Sequence, residues 1–159
     1  MRKITKSFSY DEMVFSQTAL RKGIRNEPDA TQMENLLRLC NLLEDARTLL
    51  GCPLHVDSGF RSQILNAAVG GSPISAHMDG RAADVIPMYS GNPATVGGFS
   101  PLEWSFKLLR SSPLQIDQII IECGAWLHIG IAPIGRAPRH EALIASGEPG
   151  NWTYRPAVG

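Results

Sequence analysis

The sequence predicts an α+β fold in which a small antiparallel sheet is flanked by helices. Two segments with helical spacing come first, at residues 9–23 and 31–50, and each begins at a capping-box pattern. A run rich in β-branched residues follows at 115–123 and predicts a strand, with residues 126–131 as its hairpin partner. The first half is therefore expected to support a sheet that the second half completes.

Local signals place the elements between these two regions. Gly51 is suited to end the second helix, and Ser62 can cap a short helix at residues 63–69. The segments 54–59 and 82–86 are predicted to be strands.

The remaining segments are loops and one more helix. Residues 88–99 are rich in Gly, Asn and Pro and predict an exposed loop, whose tip we expect to border a substrate groove. Ser100, Pro101 and Glu103 start a helix that should end near residue 111. The tail from about residue 133 has four prolines and four glycines and is expected to be irregular.

The bulk composition is that of a soluble globular protein. The 159 residues predict a single domain, 1–159, able to bury its own core. Fifteen basic side chains balance fifteen acidic ones, which disfavours a nucleic-acid partner. The three cysteines contain no C-x-x-C pair, so we expect reduced thiols and no thiolate metal site. We also expect a monomer with neither a secretory signal nor a membrane span, made in the cytoplasm.

Four residues suggest a metal centre. His77 and Asp84 flank an Asp-Gly turn, and His128 lies further along the chain. Two imidazoles and one carboxylate with an open fourth position form a sufficient catalytic zinc set, so we expect one Zn²⁺ per chain. Glu122 is the candidate acid/base that would take a proton from the activated water and pass it to the leaving amine.

A hairpin pairing links Glu122 to this set. If Cys123 pairs with Leu127, Glu122 lies directly opposite His128, and directly opposed residues share a face of the sheet. The same parity sends Ile119 and Ile121 to the other face. A slip of one residue would break this geometry.

Each of these residues has an ordinary interpretation when taken alone. A single histidine is usually a surface residue or a satisfied core residue, and Trp126 could be plain core. Arg61 could be a surface arginine in a turn, and Ser75 a loop hydroxyl. His55 and His140 favour solvent-exposed positions over ligation. The combination is harder to dismiss, because Glu122 interrupts an apolar strand and a carboxylate is costly to bury unpaired.

At these residues the chain resembles the zinc peptidase family of D-alanyl-D-alanine carboxypeptidases and L-alanyl-D-glutamate endopeptidases. The resemblance covers roughly residues 8–131 and is greatest with short, single-domain members often encoded by phages and prophages. It rests on an upstream Ser-Gly-aromatic-Arg-Ser at residues 58–62 and on the family motif at Ser75, His77, Gly80, Asp84, Glu122, Trp126 and His128.

The resemblance implies a small α+β fold and a role for each matched residue. His77, Asp84 and His128 would be the zinc ligands, and Glu122 the catalytic acid/base. The remaining candidates would contact the substrate, which in this family is the peptidoglycan stem peptide. They are Arg61, Ser75 and Trp126.

Three classes of function follow. The leading hypothesis is a zinc peptidase that cuts the stem peptide, as an L-Ala–D-Glu endopeptidase of the phage lysis type or as a D-Ala–D-Ala carboxypeptidase. The second is a non-catalytic, zinc-dependent wall-binding module, which the presence of Glu122 disfavours. The third is a structural component of a virion. In the leading case the protein would reach the periplasmic cell wall after release from the cytoplasm.

Overall fold

The computed structural model describes residues 1–148 and 150–158, and in them helices flank a six-stranded sheet, as the α+β prediction requires. The helices are α1 (Tyr10–Val14), α2 (Gln17–Lys22), α3 (Ala30–Leu50), α4 (Gln63–Ala68), a 3-10 helix (Ala76–Asp79) and α5 (Pro101–Arg110). The strands are β1 (Leu54–Ser58), β2 (Ala82–Pro87), β3 (Gln118–Glu122), β4 (Trp126–Gly130), β5 (Glu141–Glu148) and β6 (Asn151–Pro156).

The helix at residues 9–23 proves to be two helices. Ser9 forms the predicted capping box with Glu12 and starts α1, but Phe15 adopts an extended conformation and Ser16 caps a new helix. The cap of α3 was also misplaced, since Asp29 fills that position and pairs with Gln32 three residues on. The ends predicted from Gly51 and Ser62 are confirmed.

The sheet has the strand order β1-β2-β4-β3-β5-β6, and its neighbours are antiparallel except for β3 and β5, which are parallel. The predicted antiparallel pairing is therefore confirmed for the other described neighbours and is wrong at this pair. The tail is irregular over residues 133–140, after which it supplies β5 and β6. Ala142 and Ile144 of β5 pack against the hydrophobic core.

The two faces of the sheet have different neighbours. One face packs against α3 and α5 through Ala83 and Val85 of β2 and through alternate residues of β3 and β4. The other face carries polar groups, because adjacent residues of a strand point to opposite sides. This second face holds Asp84, Glu122 and His128. The core residues from β3 and β4 are Ile119, Ile121, Leu127 and Ile129.

The three cysteines are free, as expected of reduced thiols. Cys40 and Cys52 are buried, and burial raises the pKa of Cys40 to about 12. Cys123 is exposed, since it lies in the β3–β4 turn with a φ of 50°. No helix within residues 1–148 and 150–158 combines the length and hydropathy needed to cross a bilayer.

Candidate metal centre

Three predicted ligands meet at the polar face of the sheet. His77 Nε2 lies 3.2 Å from Asp84 Oδ1 and 3.2 Å from His128 Nδ1, and these last two atoms are 3.1 Å apart. The three residues are 2%, 3% and 8% exposed, respectively. One buried triangle of nitrogen and oxygen atoms therefore joins residues from β2, β4 and the 3-10 helix.

The triangle fits a zinc ion. Tetrahedral bonds of about 2.0–2.1 Å would place neighbouring ligand atoms roughly 3.3 Å apart, close to the three distances observed. The protonation of His77 also fits, because its Nδ1 lies 2.7 Å from the carbonyl oxygen of Gly59 and must donate to it. Burial lowers the pKa of His77 and favours the neutral ring, which leaves a lone pair on Nε2.

The main chain around His77 is fixed from two sides. Gly80 ends the 3-10 helix with a φ of 71°, a conformation that favours glycine. A Cβ at this position would lie 2.6 Å from the carbonyl oxygen of Gln32, so α3 approaches too closely for a side chain. Gln32 and Asn35 of α3 also donate side-chain hydrogen bonds to the carbonyls of Met78 and Asp79. The imidazole is thus held by its surroundings, as metal-binding histidines usually are.

Asp84 is oriented by Arg61. Arg61 Nη2 donates to Asp84 Oδ2 at 2.9 Å, while Oδ1 is left for the histidines, and Arg61 Nε donates to Ser58 Oγ at 3.0 Å. Burial alone would raise the pKa of Asp84, but the adjacent His77 and His128 lower it, so the group is a carboxylate. The sequence predicted only a substrate contact for Arg61, whereas the structure shows that Arg61 orients the candidate ligand Asp84.

The β3–β4 hairpin has a different register from the one predicted. Glu122 pairs with Trp126, and His128 pairs with Ile120, so Cys123 lies in the turn and does not pair with Leu127. The register therefore differs from the prediction by two residues, which preserves the parity of the strands. Glu122 and His128 still share the polar face, diagonally instead of directly opposed.

Glu122 lies in a partly buried position beside the triangle but outside it. Its Oε2 accepts a hydrogen bond of 2.7 Å from Trp126 Nε1. Burial raises the pKa of Glu122, and repulsion from Asp84 raises it further, while His128 and this hydrogen bond act in the opposite direction. A carboxylate with a raised pKa beside a metal set is suited to accept and then donate a proton.

The triangle and Glu122 lie in a groove of about 690 Å³. Arg61, Ser75 and Trp126, the predicted substrate contacts, all line it. Ser75 Oγ accepts from the backbone N of His77 at 3.3 Å, so it caps the 3-10 helix as well. Residues 88–99 form the predicted exposed loop, but they do not line the groove, and that part of the prediction is wrong.

Several residues of the groove escaped sequence reasoning. Trp152 and Tyr154 line it from β6, and their spacing of two residues in a polar context was a usable strand signal. Asp117 and Arg139 also line it and form a charged pair, with Arg139 Nη2 to Asp117 Oδ2 at 2.7 Å. This pair had no local signal, because its members are far apart in sequence. His55 and His140 are exposed, as expected.

A family model described as Peptidase M15 matches residues 6–102, more than half of the chain, so the chain belongs to the M15 peptidase family. These peptidases are zinc-dependent. The matched range contains His77 and Asp84 but ends before Glu122 and His128, which the fold brings to the same site. No curated protein matches the chain at a significant level.

Proposed function

We propose that the protein is a zinc-dependent endopeptidase that cuts the L-Ala–D-Glu bond of the peptidoglycan stem peptide. The observation that carries the proposal is the buried triangle of His77, Asp84 and His128 with Glu122 beside it in an open groove. Membership of the M15 family supports a metallopeptidase acting on peptidoglycan-like substrates. The finer assignment, including a role in phage lysis after release from the cytoplasm, rests on the motifs by which the chain resembles phage-encoded members of the family.

In this proposal each residue of the centre has one task. His77, Asp84 and His128 hold the ion, which supplies Lewis acidity that activates water and polarises the scissile carbonyl. Glu122 accepts a proton from the attacking water and donates it to the leaving amine, a cycle that suits its raised pKa. Trp126 restrains the Glu122 carboxylate through its indole N–H.

The groove favours an endopeptidase over a carboxypeptidase. Its lining extends from Trp126 at the start of β4 to Ile131 beyond its end, with His128 between them. A substrate chain can therefore continue on both sides of the centre.

We assign the substrate contacts to three residues of the groove. Arg61 keeps further guanidinium donors with which it could reach a carbonyl or carboxylate of the peptide. The indole of Trp126 offers an apolar surface to the peptide on the Glu122 side. Ser75, at the start of the 3-10 helix, would meet the peptide next to His77.

Digestion of purified peptidoglycan by the zinc-loaded protein tests the proposal, with Glu122→Ala as the blank. Mass spectrometry should find new termini between L-Ala and D-Glu that are absent from the blank. Release of terminal D-Ala alone would instead show a carboxypeptidase. An unchanged digest from protein that carries zinc would contradict catalysis and favour a wall-binding module.

A further inference from the structure

The β5–β6 hairpin forms one wall of the groove. Leu143 of β5 and Trp152 and Tyr154 of β6 line it on the same face of the sheet as Glu122. The hairpin lies beyond residues 6–102, so membership of the M15 family assigns no role to it. We call Trp152 and Tyr154, together with the strand that carries them, the aromatic wall.

The register places Tyr154 in one row with the proposed acid/base. Glu122 of β3 pairs with Ala145 of β5, and Ala145 pairs with Tyr154 of β6. Directly paired residues point to the same face, and adjacent strands are about 4.8 Å apart. Tyr154 therefore starts two strands away from Glu122 on the groove side, a span that a tyrosine and a glutamate side chain can bridge towards each other.

Small residues of β5 leave room for the aromatic rings. Tyr154 lies opposite Ala145, and Trp152 lies opposite Gly147. A Cβ at Gly147 would lie 2.3 Å from the carbonyl oxygen of Asn151, so this position excludes a side chain. Ala145, which pairs with Tyr154, is only 2% exposed. The rings can lean across β5 in the direction of the metal centre.

The Tyr154 hydroxyl is available to a ligand. Tyr154 is 48% exposed, and within residues 1–148 and 150–158 its hydroxyl has no hydrogen-bond partner. Burial raises the pKa of Tyr154, and the negative charges of Glu122 and Asp84 raise it further. The phenol is therefore protonated at neutral pH and can donate. By contrast, the Trp126 indole on the other side of Glu122 already donates to that carboxylate.

We propose that Tyr154 is a substrate-binding residue whose hydroxyl donates a hydrogen bond to the peptide main chain next to the bond that is cut. The inference rests on the proposed function, since it needs a peptide in the groove. It adds a contact on the side opposite Arg61, so that the peptide is held between β6 and the loop after β1. A main-chain carbonyl is the partner of choice, because an un-ionised phenol donates well to a neutral oxygen.

Tyr154→Phe removes the hydroxyl and keeps the ring. With zinc-loaded protein and a stem-peptide fragment that contains the L-Ala–D-Glu bond, we expect kcat/KM to fall roughly tenfold, the effect of one lost hydrogen bond. Tyr10→Phe is the matched control, because Tyr10 lies in α1 and does not line the groove. A second readout is calorimetric affinity for the same fragment in the Glu122→Gln background, where Tyr154→Phe should weaken binding without changing zinc content.

The outcomes separate the two proposals. If wild-type protein cuts the fragment and Tyr154→Phe matches it in both kcat/KM and affinity, the inference is wrong and the proposed function stands. An equal loss in Tyr10→Phe would also overturn it. If zinc-loaded wild-type protein neither cuts nor binds the fragment, the proposed function fails and the inference falls with it.

Discussion

The metal centre and the aromatic wall are both parts of one groove, yet they are built in opposite ways. At the centre, His77, Asp84 and His128 are nearly fully buried and lie within 3.2 Å of each other. On the wall, Tyr154 is half exposed and its hydroxyl has no partner among the described residues. The centre is fixed by contacts within the protein, whereas the wall is left open to a ligand.

This difference indicates how the two regions should respond to substitution. A change at the centre leaves buried polar groups without partners and affects several residues at once. A change on the wall removes one contact to substrate and leaves the fold intact. Glu122 lies between the regions, since it is partly buried and its carboxylate accepts a hydrogen bond from Trp126. Substitutions at increasing distance from the centre therefore test the difference between the two regions.

The largest effect is expected at Glu122. Glu122→Gln keeps the size of the side chain but removes the proton acceptor, so kcat should fall about 10³-fold, within the usual range for a general base. Zinc content should stay at the wild-type value, because Glu122 is not part of the ligand triangle. Steady-state kinetics and metal analysis of the same sample measure both quantities.

Glu34→Gln is the matched control for this variant, since Glu34 is an exposed residue of α3 away from the groove. It should behave as wild type in both measurements. Loss of zinc from Glu122→Gln would show that Glu122 is a zinc ligand and therefore part of the metal centre.

A smaller effect is expected at Arg61. Lysine keeps the charge but cannot bond Ser58 and Asp84 at the same time, as the guanidinium does. We expect Arg61→Lys to weaken zinc binding roughly tenfold, as is typical for residues that orient metal ligands. Competition with a chromogenic chelator measures this affinity, and the exposed Arg21→Lys serves as control. Unchanged affinity would mean that Arg61 acts on substrate alone.

The smallest effect is expected in the part of the groove lining that precedes β3 and β5, where Asp117 binds Arg139. Burial favours protonated Asp117, but hydrogen bonds from Arg139 prevail and lower its pKa. Because the pKa of Asp117 is lowered in the folded protein, its carboxylate stabilises the fold at pH values above the ordinary pKa of the group. This contribution is lost as the pH falls through the lowered pKa. Because Arg139 is largely exposed, Asp117→Asn should reduce the free energy of unfolding by only about 1 kcal/mol at pH 7.

Urea unfolding at several pH values checks this prediction. The difference between wild type and Asp117→Asn should shrink as the pH falls below about 4. Asp45→Asn, at an exposed position of α3, should show no such difference. A gap that stays constant down to pH 2 would mean that the charge of Asp117 contributes nothing.

The same two regions show how much of the fold and of the candidate site could be predicted from the sequence. The meeting of His77, Asp84 and His128 near Glu122 was predictable, because each lies next to a turn or strand signal and the residue types suit one chemistry. The hairpin register was wrong by two residues, but parity alone decides the face, so Glu122 still reached the site. Local patterns therefore sufficed wherever the answer depended on residue type and periodicity.

The place of the aromatic wall in the sheet could not be predicted in this way, although the two-residue spacing of Trp152 and Tyr154 is a usable strand signal for β6. The wall is joined to the sheet by β5, which contains Ala145, Ser146 and Gly147, and these residues give little local preference for a strand. The strand β5 pairs in parallel with β3, and a pairing between two distant segments cannot be predicted from the sequence of either segment alone. The break between α1 and α2 was missed for a different reason, since Ser16 caps a helix inside a segment that also suits one continuous helix.

The most direct test of the central claim is the zinc content of purified, zinc-reconstituted protein, measured by inductively coupled plasma mass spectrometry. The wild-type protein and His55→Ala, which changes an exposed histidine, should each carry one zinc ion per chain, while His128→Ala should lose it. Zinc retained in full by His128→Ala, or missing from the folded wild-type protein, would contradict the ligand triangle on which this account depends.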